Sequence, residues 1–154
     1  MTKEKNIHVL SRAVMIDQDH ILLCKTLDLE LSFYFLPGGH IEHGESVKTA
    51  LIREMLEETG TNCKIKRFLG CLEYSFEPGH SSICHNHEHN FIFEVESEEL
   101  KRNRQIPQLE GHIELVWIPL DKLSKIDFRA EPLVKLIPEW LASSSANAFQ
   151  SEML

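Results

Sequence analysis

Three closely spaced glutamates, Glu54, Glu57 and Glu58, are the residues of this chain whose chemistry is easiest to interpret. Their spacing of i, i+3 and i+4 places them on one face if the segment is helical. Like charges so close destabilise an isolated helix by a few tenths of a kcal/mol per pair, and a bound cation converts that repulsion into coordination. Carboxylate and carbonyl oxygens with retained water suit Mg²⁺ or Mn²⁺, whereas zinc favours His and Cys partners. The spacing therefore predicts a site for a hard divalent cation.

A helix of about four turns is expected to carry these glutamates. Ser46 can cap its N-terminus, because a serine hydroxyl accepts from an otherwise unpaired backbone N–H. Gly60 is a natural left-handed terminator at the other end. A separate apolar stripe is expected to hold the helix on a sheet, and it consists of Leu51, Ile52, Met55 and Leu56. The helix would thus bury one side and present the carboxylates on another.

The loop before this helix has the composition of a segment that lies close to a ligand. Pro37, Gly38 and Gly39 stand in a row, and glycine lets the backbone approach a ligand and adopt positive φ. Further along, Glu45 and Arg53 form a pair in which the planar guanidinium fork suits a carboxylate. These residues predict a loop that is braced against the helix.

Taken together, residues Gly39 to Thr61 fit the pattern G-x5-E-x7-R-E-U-x-E-E-x-G-U, where U is a bulky apolar residue. Here the chain resembles the Nudix box of the Nudix hydrolases. Thr61 departs from the pattern, which usually has an aliphatic residue there. Since Thr61 follows the helix end, we expect the departure to matter little.

The resemblance implies a set of site residues. It assigns the metal shell to the Gly39 carbonyl with Glu54, Glu57 and Glu58, and these glutamates also count as catalytic. Glu45 and Arg53 would act first as a scaffold and second in catalysis. Many members use one more acid near a late strand as metal ligand or general base. Here Glu110 and Glu114 are the candidates, the sequence does not choose between them, and each could instead be a solvated loop carboxylate.

Substrate contacts are expected from the glycine loop at Gly38 and Gly39. Arg12 lies in the middle of an apolar strand and could either reach a phosphate or point outward. The segment 80–89 is rich in histidine. A zinc site through residues 85, 87 and 89, a substrate contact by His87, and no special role all stay open. Candidates outside the box also include a cleft-facing acid and base-stacking rings, namely Glu73, Tyr34, Tyr74 and Phe76.

The resemblance implies Mg²⁺- or Mn²⁺-dependent hydrolysis of a phosphoanhydride bond in a nucleoside diphosphate linked to another group, by attack of water on phosphorus. Oxidised nucleoside triphosphates, ADP-ribose, nucleotide sugars and dinucleotides are all open as substrates, because fold does not set substrate. The alternative is a non-catalytic module that binds a nucleotide or nucleotide sugar as a sensor. Homodimers are common in the family, so one is allowed here.

Bulk properties agree with a small-molecule partner. The chain has 154 residues, 42% of them hydrophobic, and a net charge of −8. An acidic surface disfavours polynucleotide binding, which depends on Lys and Arg, although capped RNA ends stay open. The four cysteines form no C-x-x-C pair, and neither a signal peptide nor a membrane span is apparent. A cytoplasmic protein with free thiols is the simplest interpretation.

The order of elements predicts an α/β (α+β) fold, in which a mixed central β-sheet lies between helices. Residues 7–16 and 21–25 are expected to form a hairpin, 63–76 a strand interrupted at Gly70, and 89–96 and 113–118 further strands. Helices are expected over 119–126 and 131–142, the latter kinked or restarted at Pro138. The Nudix fold, an α/β/α sandwich, has this layout. We expect one domain over residues 1–142 and a loose polar tail over 143–154.

Overall fold

The structure, a computed structural model, describes residues 6–27, 30, 32–75, 87–142 and 148–153. Its first half contains five strands and one helix: β1 His8–Val14, β2 Ile16–Asp17, β3 His20–Thr26, β4 Tyr34–Phe35, β5 Gly38–His40 and α1 Val47–Thr59. Its second half contains five strands, a 3₁₀ turn and a second helix: β6 Lys64–Ser75, β7 His87–Glu96, β8 Ile113–Pro119, the 3₁₀ turn Leu120–Lys125, β9 Phe128–Arg129, α2 Leu133–Ala142 and β10 Phe149–Glu152. Among these residues, no helix is long and apolar enough to cross a membrane.

The strands form two sheets with mixed pairing. The first sheet has the order β10-β6-β7-β1-β5, with β1 parallel to β7 and antiparallel to β5. The second sheet has the order β2-β3-β4-β9, and β8 pairs with β3 along the opposite side. Mixed sheets with flanking helices confirm the expected fold class.

The opening hairpin differs from the expectation. The long strand β1 does not pair with β3, because the chain changes sheets near Met15, and only the two residues of β2 form the hairpin with β3. Gln18 and Asp19 make the predicted turn, both with positive φ. Apolar residues line both strands, so hydrophobicity alone could not show that they serve different sheets.

Later elements follow the sequence only in part. Strand β6 shifts register between Phe68 and Gly70, as expected for a break at Gly70. Helix α2 contains Pro138 but continues through it. The segment expected to be a loose tail contributes β10, which lies parallel to β6. The sequence did not predict this strand because β10 is short and has few apolar residues, and its pairing with β6 uses backbone groups.

Two apolar clusters join the sheets to the two helices. One cluster packs α2 between the sheets and contains Trp140 and Ile137. The other packs α1 against both sheets through Leu51 and Met55. This second cluster holds the box helix in place, so its packing sets where the glutamates lie.

Candidate active site

Helix α1 begins and ends where its capping residues predict. The Ser46 hydroxyl oxygen accepts from the Thr49 N–H at 3.1 Å. Gly60 adopts φ 71°, and its N–H donates to the Leu56 carbonyl at 2.8 Å. The hydroxyl of Ser11 in β1 donates to the Val47 carbonyl at 3.1 Å, which ties the helix start to the first sheet. Sequence analysis missed Ser11, although a serine within an apolar strand was a usable signal.

The buried face of α1 is not the one expected. Leu51 and Met55 are fully buried, but Ile52 and Leu56 are 38% and 45% exposed, so half of the predicted apolar stripe is wrong. Glu58 is 6% exposed instead. At about 100° per residue, Glu58 lies only about 20° around the helix from Leu51. The metal face and the core face therefore overlap, and the expected separation of the two faces is wrong.

Glu58 is held against the glycine loop. Its Oε2 accepts from the Gly38 N–H at 3.2 Å. Burial raises the pKa of the Glu58 carboxyl to about 8, although the Gly38 hydrogen bond and nearby Arg12 act to lower it. Glu54 and Glu110 raise it slightly further by repulsion. The site thus favours a neutral Glu58 in the absence of added positive charge.

The two glycines of the loop are required for different reasons. Gly38 has φ 131°, and a methyl group there would overlap the Ser11 carbonyl oxygen across the strand pair. Gly39 has ordinary backbone angles, but a Cβ would lie 2.6 Å from Cδ of Glu54 and 2.7 and 2.8 Å from its oxygens. The backbone of Gly39 therefore lies directly against the Glu54 carboxylate.

Arg53 connects the loop to the helix. Its Nε and Nη2 donate to the two carboxylate oxygens of Glu45 at 2.9 and 2.7 Å, a bidentate pair. Nη2 also donates to the His40 carbonyl at 3.2 Å. The hydrogen bond from Arg53 holds the pKa of Glu45 at about 2. The pair that the sequence singled out is therefore formed, and it clamps the loop between β5 and α1.

Arg53 also contacts two of the three helix glutamates. Nη1 lies 3.0 Å from Oε1 of Glu54 and 3.4 Å from Oε1 of Glu57. Burial nevertheless raises the pKa of Glu54, because it outweighs the opposing effect of Arg53. Arg53 thus brings positive charge to one side of the carboxylate cluster without neutralising it.

This cluster fits a hard divalent cation. Its side-chain donors are carboxylate oxygens alone, which are the ligands of Mg²⁺ and Mn²⁺. The absence of a Cβ at Gly39 leaves the Glu54 carboxylate in direct contact with backbone. Burial is the main cause of the raised pKa values at Glu54 and Glu58, and repulsion from neighbouring glutamates adds to it. A bound cation would favour the ionised form of both carboxyls.

Outside the box, the structure separates the two candidate acids. The charge of Glu110 contributes to the raised pKa of both Glu54 and Glu58. Glu114 lies within β8, with its Cα opposite Lys25 of β3. Glu110 lies just before β8, and its Oε2 is 3.5 Å from Nε2 of His112. The electrostatic effect of Glu110 on the box glutamates therefore favours it over Glu114 as the additional acid.

Arg12 points towards the glycine loop. Its Nη1 donates to the Leu36 carbonyl at 3.1 Å, and its guanidinium lies 5.8 Å from the centre of the Phe35 ring. Its electrostatic effect on Glu58 places it beside the cluster.

His87 lies apart from this group, at the start of β7 beside His89, their ring centres 5.3 Å apart. Tyr34 lies on β4 with Lys25 Nζ 5.8 Å from its ring centre, and Tyr74 packs against the cluster around α2. Phe76 and the 80–86 part of the histidine-rich segment fall outside the described residues.

A family model described as the NUDIX domain matches residues 7–140. The chain belongs to the Nudix hydrolase family. An ADP-ribose pyrophosphatase of Methanocaldococcus jannaschii is 34% identical over 128 residues, covering 82% of this chain and 70% of that protein. An RNA pyrophosphohydrolase of a Wolbachia species is 28% identical over 150 residues, covering 87% and 88%. A NUDIX hydrolase structure from Nitrosomonas europaea superposes with a TM-score of 0.70 at 23% identity, covering 89% and 90%, which supports the Nudix fold.

Proposed function

We propose that this Nudix hydrolase cleaves the phosphoanhydride bond of a nucleoside diphosphate linked to a second group, with Mg²⁺ or Mn²⁺ as cofactor. The observation that carries the proposal is the contact between the glycine loop and the helix glutamates. Gly39 lies against the Glu54 carboxylate, and Gly38 donates to Glu58. A diphosphate bound at this loop would meet backbone and metal ligands together.

Glu54, Glu57 and Glu58, with the Gly39 carbonyl, would hold the cation. When bound, such a cation neutralises phosphoryl charge and lowers the pKa of a coordinated water. Arg53 keeps Glu54 in place and, through Glu45, keeps the loop closed against the helix. Arg12 donates to the Leu36 carbonyl beside the glycine loop and acts on Glu58, so it would meet a phosphate bound there. Glu110, whose charge also acts on Glu58, would accept a proton from water.

The names of two relatives indicate candidates for the second group. The archaeal relative is named for ADP-ribose and aligns over most of both chains, so ADP-ribose is the first candidate. The Wolbachia relative is named for RNA, but a net charge of −8 works against a polynucleotide partner. We therefore place a small ADP-ribose-like diphosphate ahead of an RNA 5′ end.

The test combines a substrate panel with two glutamine variants. Phosphate or nucleotide release is measured from ADP-ribose, 8-oxo-dGTP, a nucleotide sugar, a dinucleotide and triphosphorylated RNA, each with Mg²⁺ or Mn²⁺. Glu57→Gln and Glu58→Gln should lower turnover of the preferred substrate by about 10²–10³-fold, as expected for loss of a preorganised charge. Glu139→Gln changes an exposed glutamate of α2 and serves as the matched control. Equal turnover in all three variants would refute the assignment, and tight binding without turnover would favour a sensor.

A further inference from the structure

Two histidines and a glutamate come together on the first sheet, away from the Nudix box. Glu73 of β6 and His89 of β7 are directly opposite each other in an antiparallel pair. His87 is two residues before His89, so its side chain lies on the same face of the sheet. One ligand atom from each of Glu73, His87 and His89 lies within 4.8 Å of the other two.

A second observation concerns a ring nitrogen of His87. Nε2 of His87 is buried from solvent and has no hydrogen-bond partner in the part of the chain that the structure describes. A buried ring nitrogen without a partner loses the free energy of its hydration and gains no hydrogen bond in return. Coordination of a metal ion is one way for an imidazole nitrogen to recover it.

We propose that Glu73, His87 and His89 bind a transition-metal ion such as Zn²⁺, at a site separate from the Nudix box. Two imidazoles and one carboxylate are a donor set that zinc accepts, with a fourth position open to water or another ligand. Tetrahedral zinc needs ligand atoms about 3.5 Å apart, so small side-chain rotations from the present spacing suffice. The carboxylate-only box selects a hard cation, whereas imidazole selects a softer one.

The register of the first sheet keeps the two sites apart. Gly39 lies opposite Ser11, which lies opposite Phe91, two residues beyond His89 on β7. With about 4.8 Å between strands and 3.3 Å per residue, the Cα atoms of the cluster lie roughly 12–16 Å from that of Gly39. The cluster therefore lies two to three strands away from the glycine of the box. The site would link the end of β6 to the start of β7 and stabilise their pairing.

The predicted zinc set was residues 85, 87 and 89 of one strand. The structure describes the latter two, and it supplies Glu73 from the neighbouring strand as the third donor. Cross-strand neighbours cannot be identified without the register, which explains why the sequence did not single out this group.

The experiment uses Co²⁺ as a spectroscopic probe and Zn²⁺ in calorimetry, on the full chain with excess Mg²⁺ to saturate the box. The wild-type protein should bind one equivalent of Co²⁺ with a visible spectrum that lacks thiolate charge transfer, although Cys71 is nearby on β6. His87→Ala and His89→Ala should weaken binding at least about tenfold, since even the outer partners of metal ligands are worth 10–100-fold. Zn²⁺ should raise the melting temperature of the wild-type protein but not of these variants.

His20→Ala is the matched control, because His20 lies on β3 of the second sheet. His87→Gln replaces His87→Ala if the alanine variant fails to fold. The double variant Glu57→Gln/Glu58→Gln should keep the Co²⁺ spectrum, which separates this proposal from the proposed function. Co²⁺ affinity in both histidine variants equal to that of His20→Ala would overturn the proposal. So would weaker nucleotide binding with unchanged Co²⁺ binding, which would make the histidines substrate contacts.

Discussion

The contact between Gly39 and Glu54 yields the sharpest prediction, because one added methyl group tests it. In Gly39→Ala, the new Cβ would lie 2.6 Å from Cδ of Glu54. The backbone angles at Gly39 fall outside the positive-φ region, so alanine fits the backbone itself. The variant therefore acts on the carboxylate and not on the local conformation.

The shift that the added Cβ imposes on the Glu54 carboxylate can be estimated from the distance between them. Ordinary contacts to a Cβ begin at 3.4 Å, so the carboxylate must move by about 0.8 Å or the loop must shift by as much. A misplacement of about 1 Å at a reacting centre lowers rates by about 10²-fold. The Glu54 side chain also bonds to Arg53 at 3.0 Å, which limits how it can move away. We expect kcat/KM to fall by about 10²-fold. We also expect the free energy of unfolding to fall by about 1–3 kcal/mol, as for other overpacked sites.

The assay is steady-state hydrolysis over a Mg²⁺ titration, alongside urea unfolding. Gly39→Ala should require more Mg²⁺ for half-maximal rate, because a displaced ligand weakens the metal site. Gly111→Ala is the control, since a Cβ there meets nothing within 4 Å. If Gly39→Ala keeps wild-type kcat/KM and Mg²⁺ dependence while it remains folded, the inferred contact between loop and ligand does not position the site.

Two further predictions concern the carboxyls around this contact. Glu110→Gln should lower turnover by about 10²-fold or more, as for loss of a general base. Glu114→Gln should stay within a few-fold of wild type in the same steady-state assay. A larger loss of turnover in Glu114→Gln than in Glu110→Gln would transfer the role to Glu114. Metal-free protein should lose stability as pH rises from about 4.5 to about 8, because Glu58 ionises near its ordinary value of 4.5 when unfolded but only near 8 when folded. Glu58→Gln keeps an acceptor for the Gly38 N–H, and its stability should not fall over this pH range. The measurement is the free energy of unfolding by urea in the presence of EDTA. Parallel pH profiles of this free energy for variant and wild type would contradict the burial effect.

The box helix illustrates what local patterns can and cannot predict. Capping by Ser46 and termination by Gly60 depend on neighbours in sequence, so both could be predicted. Which face is buried depends on how the helix meets the sheets. Ile52 and Leu56 are as apolar as Leu51 and Met55, yet they face solvent. Hydrophobicity therefore found the helix but assigned half of its contact face wrongly.

The same limit applies to the residues outside the box. The preference for Glu110 over Glu114 arises from its electrostatic effect on Glu54 and Glu58, which lie more than 50 residues earlier in the chain. The Glu73 cluster depends on the register of β6 and β7. By contrast, the pairing of Arg53 with Glu45 could be predicted from sequence. The two residues lie eight positions apart in one loop and helix, and a guanidinium fork suits a carboxylate.

The three box glutamates occupy different environments, and this affects how they can share a cation. Glu58 is buried and fixed by Gly38, Glu54 is wedged against Gly39 and Arg53, and the Glu57 side chain is 54% exposed. The first two are preorganised, so they lose little conformational freedom when a cation binds. Glu57 can adjust its position as the substrate arrives. If the three glutamates hold a cation, Glu54 and Glu58 would fix its position, and the exposed Glu57 would be the one able to rearrange when substrate binds. Glu57→Gln should therefore lower turnover more than it lowers metal affinity.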